Sequence, residues 1–114
     1  MHILVLEQHL GVRTFLSDAL RLKGYQVTER SGEALEADGN YDLVLVEPGT
    51  DKNLFFGLLV ACARKGVPMI VISAWEETLL KAWRWHIPAL QKPFRIQELY
   101  ALVMETFANS ENAG

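Results

Sequence analysis

The sequence has 114 residues, 50% of them apolar, and a formal net charge of −3. This length suits one domain with a single hydrophobic core, and an acidic balance without a basic cluster argues against a nucleic-acid surface. No apolar run approaches the ~20 residues of a membrane span. The start of the chain also lacks the basic segment of a signal peptide. We therefore expect a cytoplasmic protein with no membrane or nucleic-acid partner, in which the one cysteine, Cys62, is a buried thiol.

The first part of the chain alternates strand and helix patterns. Residues 3–6 are apolar and predict a strand, and residues 11–23 have apolar side chains at helical spacing and end at Gly24, which predicts a helix. Residues 25–29 alternate polar and apolar side chains, as a strand near the edge of a sheet does. Ser31 is a suitable N-cap for a short helix to about Ala37, and residues 38–40 have turn chemistry.

The central stretch of the chain is residues 41–47. Four consecutive apolar residues end in the carboxylate of Glu47, and Pro48 and Gly49 follow. A continuous apolar run bounded by turn residues is typical of a strand buried on both faces of a parallel sheet. We expect residues 42–47 to form this strand, with Glu47 at its carboxyl end, where such sheets bind ligands.

The rest of the chain continues the alternation. The patterns predict a helix over 54–65, a strand over 67–73, a helix over about 75–85, a short strand around 88–91 and a final helix over 95–108. Alternating strands and helices imply a parallel sheet covered on both faces and joined by right-handed crossovers. The prediction is one α/β domain over residues 1–108 and a flexible tail over 109–114.

Polar residues follow four of the predicted strands. Glu7 and Gln8 follow the first, Glu47 ends the third, Ser73 ends the fourth, and Lys92-Pro93-Phe94 follows the fifth. In this order and spacing, from Ile3 to about Phe107, the sequence resembles the receiver domain of bacterial two-component response regulators. The resemblance implies a flavodoxin-like (βα)5 fold with strand order 2-1-3-4-5 and a non-enzymatic role in signalling.

The same resemblance assigns site positions to this sequence. The phosphoacceptor position falls on Glu47, and the positions that contact the phosphoryl group fall on Ser73 and Lys92. The magnesium position falls on Glu7, Gln8, Glu47 and Gly49.

Ser73 and Lys92 match the family pattern, whereas the three positions of Glu7, Gln8 and Glu47 depart from it. Glu47 stands where the family has aspartate, and its extra methylene moves the carboxylate oxygens by about 1.5 Å. This displacement matters because phosphoryl transfer depends mainly on positioning. Gln8 replaces an acid, which leaves two carboxylates for a cation that prefers hard anionic oxygens. We therefore expect a weak or lost Mg²⁺ site, no other cofactor, and a receiver that works without phosphorylation.

Three interpretations of this pocket remain open. A standing ion pair between Glu47 and Lys92, with Ser73 donating to Glu47, can imitate the phosphorylated state, or the same pair can be a remnant of an inactive switch. Alternatively, the domain can accept a phosphoryl group on Glu47 with Mg²⁺. A nucleotide pocket is disfavoured because no glycine-rich loop follows the first strand.

The partner surface is the last feature that the resemblance implies. In receivers it comprises the fourth helix, the fifth strand and the fifth helix, and here the position of the family's switching aromatic holds Ala89. Trp83 and Trp85 are two residues apart and cannot share a helix face, so at least one is expected to be exposed. With Tyr100 and Met104 they predict an apolar contact for another signalling protein or a second copy of the chain.

Overall fold

A computed structural model describes residues 1–31, 40–49 and 52–112 of the chain. Within these residues, strands and helices follow one another in the predicted order. The elements are β1 (His2–Leu6), α1 (Leu10–Leu22), β2 (Gln26–Arg30), β3 (Leu43–Val46), α2 (Lys52–Lys65), β4 (Met69–Ser73), α3 (Glu76–Arg84), β5 (Ala89–Gln91) and α4 (Ile96–Asn112). Residues 32–37 of the short helix predicted over 31–37 lie outside the described residues, and the predicted fourth and fifth helices are α3 and α4.

The five strands form one parallel sheet in the order β2-β1-β3-β4-β5. This confirms the predicted flavodoxin-like order 2-1-3-4-5. Because all strands are parallel, their carboxyl ends lie along one edge, and β1 and β3 are neighbours at the point where the strand order reverses. Glu7 and Glu47 directly follow these two strands, which places both at the switch point where open α/β sheets bind ligands.

Alternate residues of the central strand enter two hydrophobic clusters. Leu43 and Leu45 pack into one cluster with α1 and α4, while Val44 and Val46 pack into the other with α2 and α3. This explains the unbroken apolar run in the sequence, because both faces of β3 are covered. Cys62 of α2 is 8% exposed in the second cluster, and burial raises the pKa of its thiol, as expected of an unreactive cysteine.

The end of the final helix differs from the sequence prediction, and the end of α3 has an unusual backbone conformation. The final helix runs to Asn112 rather than to about Ala108, so residues 109–112 are helical. The helix α3 ends in a Schellman motif in which the His86 amide donates to the Trp83 carbonyl and the Ile87 amide donates to the Ala82 carbonyl. His86 adopts a positive φ of 58° there, a conformation that usually selects glycine. None of the described helices is long and apolar enough to cross a membrane.

Candidate functional site

Lys92 lies between two carboxylates at the carboxyl edge of the sheet. Its Nζ is 3.5 Å from Oε2 of Glu7 and 3.5 Å from Oε2 of Glu47. The side chains are 23% exposed for Lys92, 4% for Glu7 and 12% for Glu47. Two negative charges therefore share one positive charge in a place that water reaches poorly, where ion pairs are screened much less than at the surface.

Backbone amides hold the other oxygen of each carboxylate. The His9 N–H donates to Oε1 of Glu7 at 3.3 Å, and the Gly49 N–H donates to Oε1 of Glu47 at 3.0 Å. Gly49 has a φ of 63°, so the absence of a side chain permits the tight turn after Glu47. Each of the four carboxylate oxygens thus has a partner from the protein itself.

Burial and neighbouring groups alter the protonation of Glu47. Its pKa is raised because burial disfavours the ionised carboxylate, and the negative charge of Glu7 acts in the same direction. The hydrogen bond from Gly49 and the positive charge of Lys92 lower the pKa but do not cancel the effect of burial. Ionised Glu47 is therefore only partly compensated by its partners.

Ser73 lies at the same edge but does not donate to Glu47. Its hydroxyl is fully buried, and its Oγ accepts the Trp75 N–H at 3.0 Å, which closes the loop between β4 and α3. No hydrogen bond joins Ser73 to Glu47 within the residues that the structure describes. The structure therefore does not contain the expected donation from Ser73 to Glu47, and the Ser73 Oγ serves as an acceptor that holds the β4–α3 loop.

The donor set at this edge fits Mg²⁺ poorly. The cation requires near-octahedral oxygen ligands, of which one or two are usually carboxylates. The Glu7 and Glu47 carboxylates already bind an ammonium, and Gln8, which has an uncharged amide in place of a carboxylate, is exposed. Over the described ranges there is no group of three or more His, Cys, Asp or Glu side chains that could hold a metal ion.

One residue of the turn between β1 and α1 and one residue of α1 support Glu7, and neither is among the predicted site residues. His9 is the N-cap of α1, where its Nδ1 accepts the Val12 N–H at 3.2 Å. Arg13, in the first turns of α1, donates from a guanidinium nitrogen to the Glu7 carbonyl oxygen at 2.8 Å. A cation six residues after the first acid is the only sequence signal for the second contact.

The structure divides the predicted partner surface. The Tyr100 hydroxyl donates to the Ala19 carbonyl at 2.8 Å, and Lys23 Nζ lies 4.7 Å from the Tyr100 ring centre, so Tyr100 faces α1. Met104, four residues later and therefore on the same flank of α4, is 65% exposed. Tyr100 and Met104 thus do not belong to the surface that α4 shares with α3.

The other flank of α4 borders Trp83. A cleft of about 640 Å³ separates α4 from the end of α3 and the segment that precedes β5, and its lining includes Trp83, Arg84, Leu102 and Glu105. Trp83 is 74% exposed, and Ala89 of β5 is exposed as well. Trp85 packs edge-on against Phe55 of α2, with ring centres 5.5 Å apart at 86°, and is 43% exposed.

Comparison with known proteins finds matches among solved structures only. No protein-family model and no curated protein matches the sequence. Among solved structures, a CheY-like response regulator receiver domain from Methanospirillum hungatei has a TM-score of 0.82 and 19% identity over 99% of this chain and 98% of that one. The chain has the fold of a response regulator receiver domain.

Two further receiver structures agree with this result. The Vibrio cholerae chemotaxis protein CheY4 has a TM-score of 0.74 and 16% identity over 92% of this chain and 97% of its own. The response regulator TrrA from Thermotoga maritima, solved in complex with Mg²⁺-BeF, has a TM-score of 0.76 and 23% identity over 92% of this chain and 97% of its own. The receiver fold therefore extends over almost the whole chain.

Proposed function

We propose that this chain is an atypical receiver domain that acts as a protein-interaction module in bacterial signal transduction without a phosphorylation cycle. The observation that carries the proposal is the position of Lys92, whose ammonium lies 3.5 Å from both Glu7 and Glu47. A permanent ion pair then takes the place of a reversible phosphoryl group. The proposed module is not an enzyme and is cytoplasmic.

The geometry of Glu47 supports this proposal. An in-line nucleophile needs a free oxygen aimed at the phosphorus, and a displacement of ~1 Å can cost about 10²-fold in rate. Both Glu47 oxygens are engaged, one by the Gly49 amide and the other by Lys92. The poor donor set for Mg²⁺ points in the same direction, because the cation neutralises charge that develops during phosphoryl transfer.

The proposed mimic depends on Lys92 and not on Ser73. The carboxylate of Glu47 supplies one negative charge to Lys92, whereas a phosphoryl group supplies about −1.5 to −2. Ser73 keeps the β4–α3 loop closed through the Trp75 amide in the same conformation. We infer that partner binding requires the negative charge of Glu47, so Glu47→Ala and Glu47→Gln should both weaken it, while an unchanged affinity would mean that the ion pair is a remnant.

A working phosphoreceiver is the second candidate, and one likeness favours it. TrrA shares this fold and was solved with Mg²⁺-BeF, and this chain has a lysine and two carboxylates at the corresponding edge of the sheet. In this alternative, Glu47 would accept the phosphoryl group once Mg²⁺ displaced Lys92 from the carboxylates.

Incubation with acetyl phosphate and Mg²⁺ separates the two candidates. We expect no phosphoryl adduct by intact mass spectrometry and no saturable change in tryptophan fluorescence, including with beryllofluoride. An adduct that disappears in Glu47→Gln would contradict the proposal. The matched control is Glu47→Asp combined with Gln8→Asp, which should gain measurable Mg²⁺ binding because it restores three carboxylates of the usual length.

The proposed partner is another signalling protein or a second copy of this chain. The cleft beside Trp83 supports this assignment, because an exposed tryptophan at the edge of a cleft is typical of an interface anchor. The predicted contact is therefore reduced to α3, β5 and the flank of α4 that carries Leu102 and Glu105.

A further inference from the structure

We propose that Arg13 is a positioning residue that holds Glu7 where it competes with Glu47 for Lys92. The inference deepens the proposed function and rests on it, because it concerns the same ion pairs. It assigns to Arg13 the control of how the charge of Lys92 is divided between the two carboxylates.

Arg13 acts on Glu7 through the backbone. The guanidinium nitrogen donates to the Glu7 carbonyl oxygen at 2.8 Å, the shortest side-chain contact described for the β1–α1 turn. Arg13 is half-buried, and its own amide donates to the His9 carbonyl at 2.9 Å in the first turn of α1. The contact therefore fastens the end of β1 to α1.

The turn leaves Glu7 little freedom. Its carbonyl is bound by Arg13, its Oε1 accepts the His9 amide, and its side chain is 4% exposed. Only Oε2 remains, and this oxygen points to Lys92. Since backbone and carboxylate are held at the same time, the distance between Glu7 and Lys92 is determined by the turn that Arg13 fixes.

Because Lys92 lies equally far from Glu7 and Glu47, the position of Glu7 affects both ion pairs. When a cation lies at equal distances from two acids, a small movement of either acid changes which of them it attracts more strongly, because the Coulomb energy varies inversely with distance. Loosening the turn lets Glu7 withdraw, so that Lys92 pairs mainly with Glu47. Arg13 thus sets the strength of the Glu47–Lys92 pair without touching either residue.

Coupling energies measured in different backgrounds test this role. A double-mutant cycle of Glu7→Gln and Lys92→Met, followed by urea unfolding at neutral pH without Mg²⁺, gives the coupling between these two side chains. The cycle is repeated in the Arg13→Met background and in the Arg21→Met background. Arg21 is the matched control, because it lies on the same helix and donates to the carbonyl of Val27, six residues away, at 3.3 Å.

We expect Arg13→Met to remove at least half of the Glu7–Lys92 coupling and Arg21→Met to leave it unchanged. Arg13→Lys retains a hydrogen-bond donor and should restore part of the coupling. If Arg13→Met does not unfold cooperatively, the cycle is measured in the Arg13→Lys background instead. Full coupling in the Arg13→Met and Arg13→Lys backgrounds, or an equal loss with Arg21→Met, would overturn the assignment.

The result is independent of the phosphorylation experiment. If acetyl phosphate modifies Glu47 of the unaltered protein, the proposed function fails whatever the cycles give. If no adduct forms and the coupling does not depend on Arg13, the proposed function stands and the role of Arg13 fails.

Discussion

Lys92 and Glu47 form an ion pair with an Nζ–Oε2 distance of 3.5 Å, although 45 residues separate them in the chain. The parallel sheet makes this pair possible, since Glu47 ends β3 and Lys92 follows β5 at the same edge. Glu7 lies equally close to Lys92 and belongs to the strand beside β3. The three side chains form a cluster with two acids and one base, and its stability and charge can be tested directly.

Removing Lys92 should destabilise the protein more than removing a surface lysine. Lys92→Met leaves Glu7 and Glu47 buried beside each other without a counter-ion, and the loss of one partner of a buried pair costs about 3 kcal/mol. Lys81→Met is the control, because its pair with Glu77 at 3.7 Å lies at the surface of α3 and should contribute less than about 1 kcal/mol. Urea unfolding at neutral pH measures both, and equal losses would contradict the cluster.

The stability of Glu47→Gln relative to the unaltered protein should increase with pH. Burial raises the pKa of Glu47 in the folded state, so the folded protein holds this proton more tightly than the unfolded chain does. The stability that this difference contributes is present below the unfolded pKa of about 4.3 and is lost as pH rises through the higher folded pKa. Glutamine does not titrate, so the variant escapes this loss.

Urea unfolding at several pH values between 4 and 7 checks this prediction. Near pH 4 the two proteins should differ little, and toward neutrality the variant should become the more stable one. Glu105→Gln removes an exposed carboxylate of α4 and controls for the change in net charge. A difference that stays constant or reverses with pH would contradict the raised pKa of Glu47.

Ser17→Ala should stabilise the protein. Ser17 of α1 is fully buried, and its hydroxyl oxygen is the only buried side-chain polar atom in the described residues without a hydrogen-bond partner. An unsatisfied buried polar group costs about 1–3 kcal/mol, so we expect a gain of about 1 kcal/mol in the free energy of unfolding. Thr14→Ala, at an exposed position of the same helix, shows how much of the gain comes from helix propensity alone.

The left-handed residue at the end of α3 gives a second stabilising substitution. His86 has a φ of 58°, and a residue with a Cβ in this region costs about 1–2 kcal/mol relative to glycine. His86→Gly should raise the free energy of unfolding by about 0.5–1 kcal/mol, because greater freedom in the unfolded chain offsets part of the gain. His86→Ala keeps the Cβ and should not give this gain, which differential scanning calorimetry can check.

Trp83 and Trp85 should respond differently to truncation. Trp83→Ala removes an exposed ring and should change stability by less than about 0.5 kcal/mol, while weakening any self-association seen by sedimentation velocity. Trp85→Ala loses the edge-on contact with Phe55, and such aromatic pairs contribute about 0.5–1.5 kcal/mol beyond their buried area. A large stability loss in Trp83→Ala would argue that this ring is structural.

The sequence predicts the sheet well because the same strand pattern occurs several times along the chain. Each of the three inner strands is a continuous apolar run that ends in a polar or charged residue, and the spacing between runs leaves room for one crossover helix. Once the strand order is known, Glu7, Glu47 and Lys92 must meet at one edge. Their proximity is therefore a consequence of the strand order, which the resemblance to receiver domains implies and local patterns alone do not.

The failed predictions concern details that depend on neighbouring elements. A serine hydroxyl can donate and accept at the same time, and only the path of the β4–α3 loop decides that Ser73 accepts from Trp75. Similarly, the apolar stripe of α4 identifies the face that packs on the sheet but does not say which helix borders each flank. The structure places Tyr100 and Met104 on the flank of α4 that borders α1, and the position of α1 is a tertiary feature that the stripe alone does not predict.

The contact between Tyr100 and Ala19 also affects how motion can pass through this domain. Ala19 belongs to the last turn of α1, where carbonyl groups lack partners within the helix, and the Tyr100 hydroxyl supplies one from α4. A partner that tilts α4 must either carry the last turn of α1 with it or break this tether. Amide hydrogen exchange at residues 22–25 would then report on binding at a helix to which they do not belong.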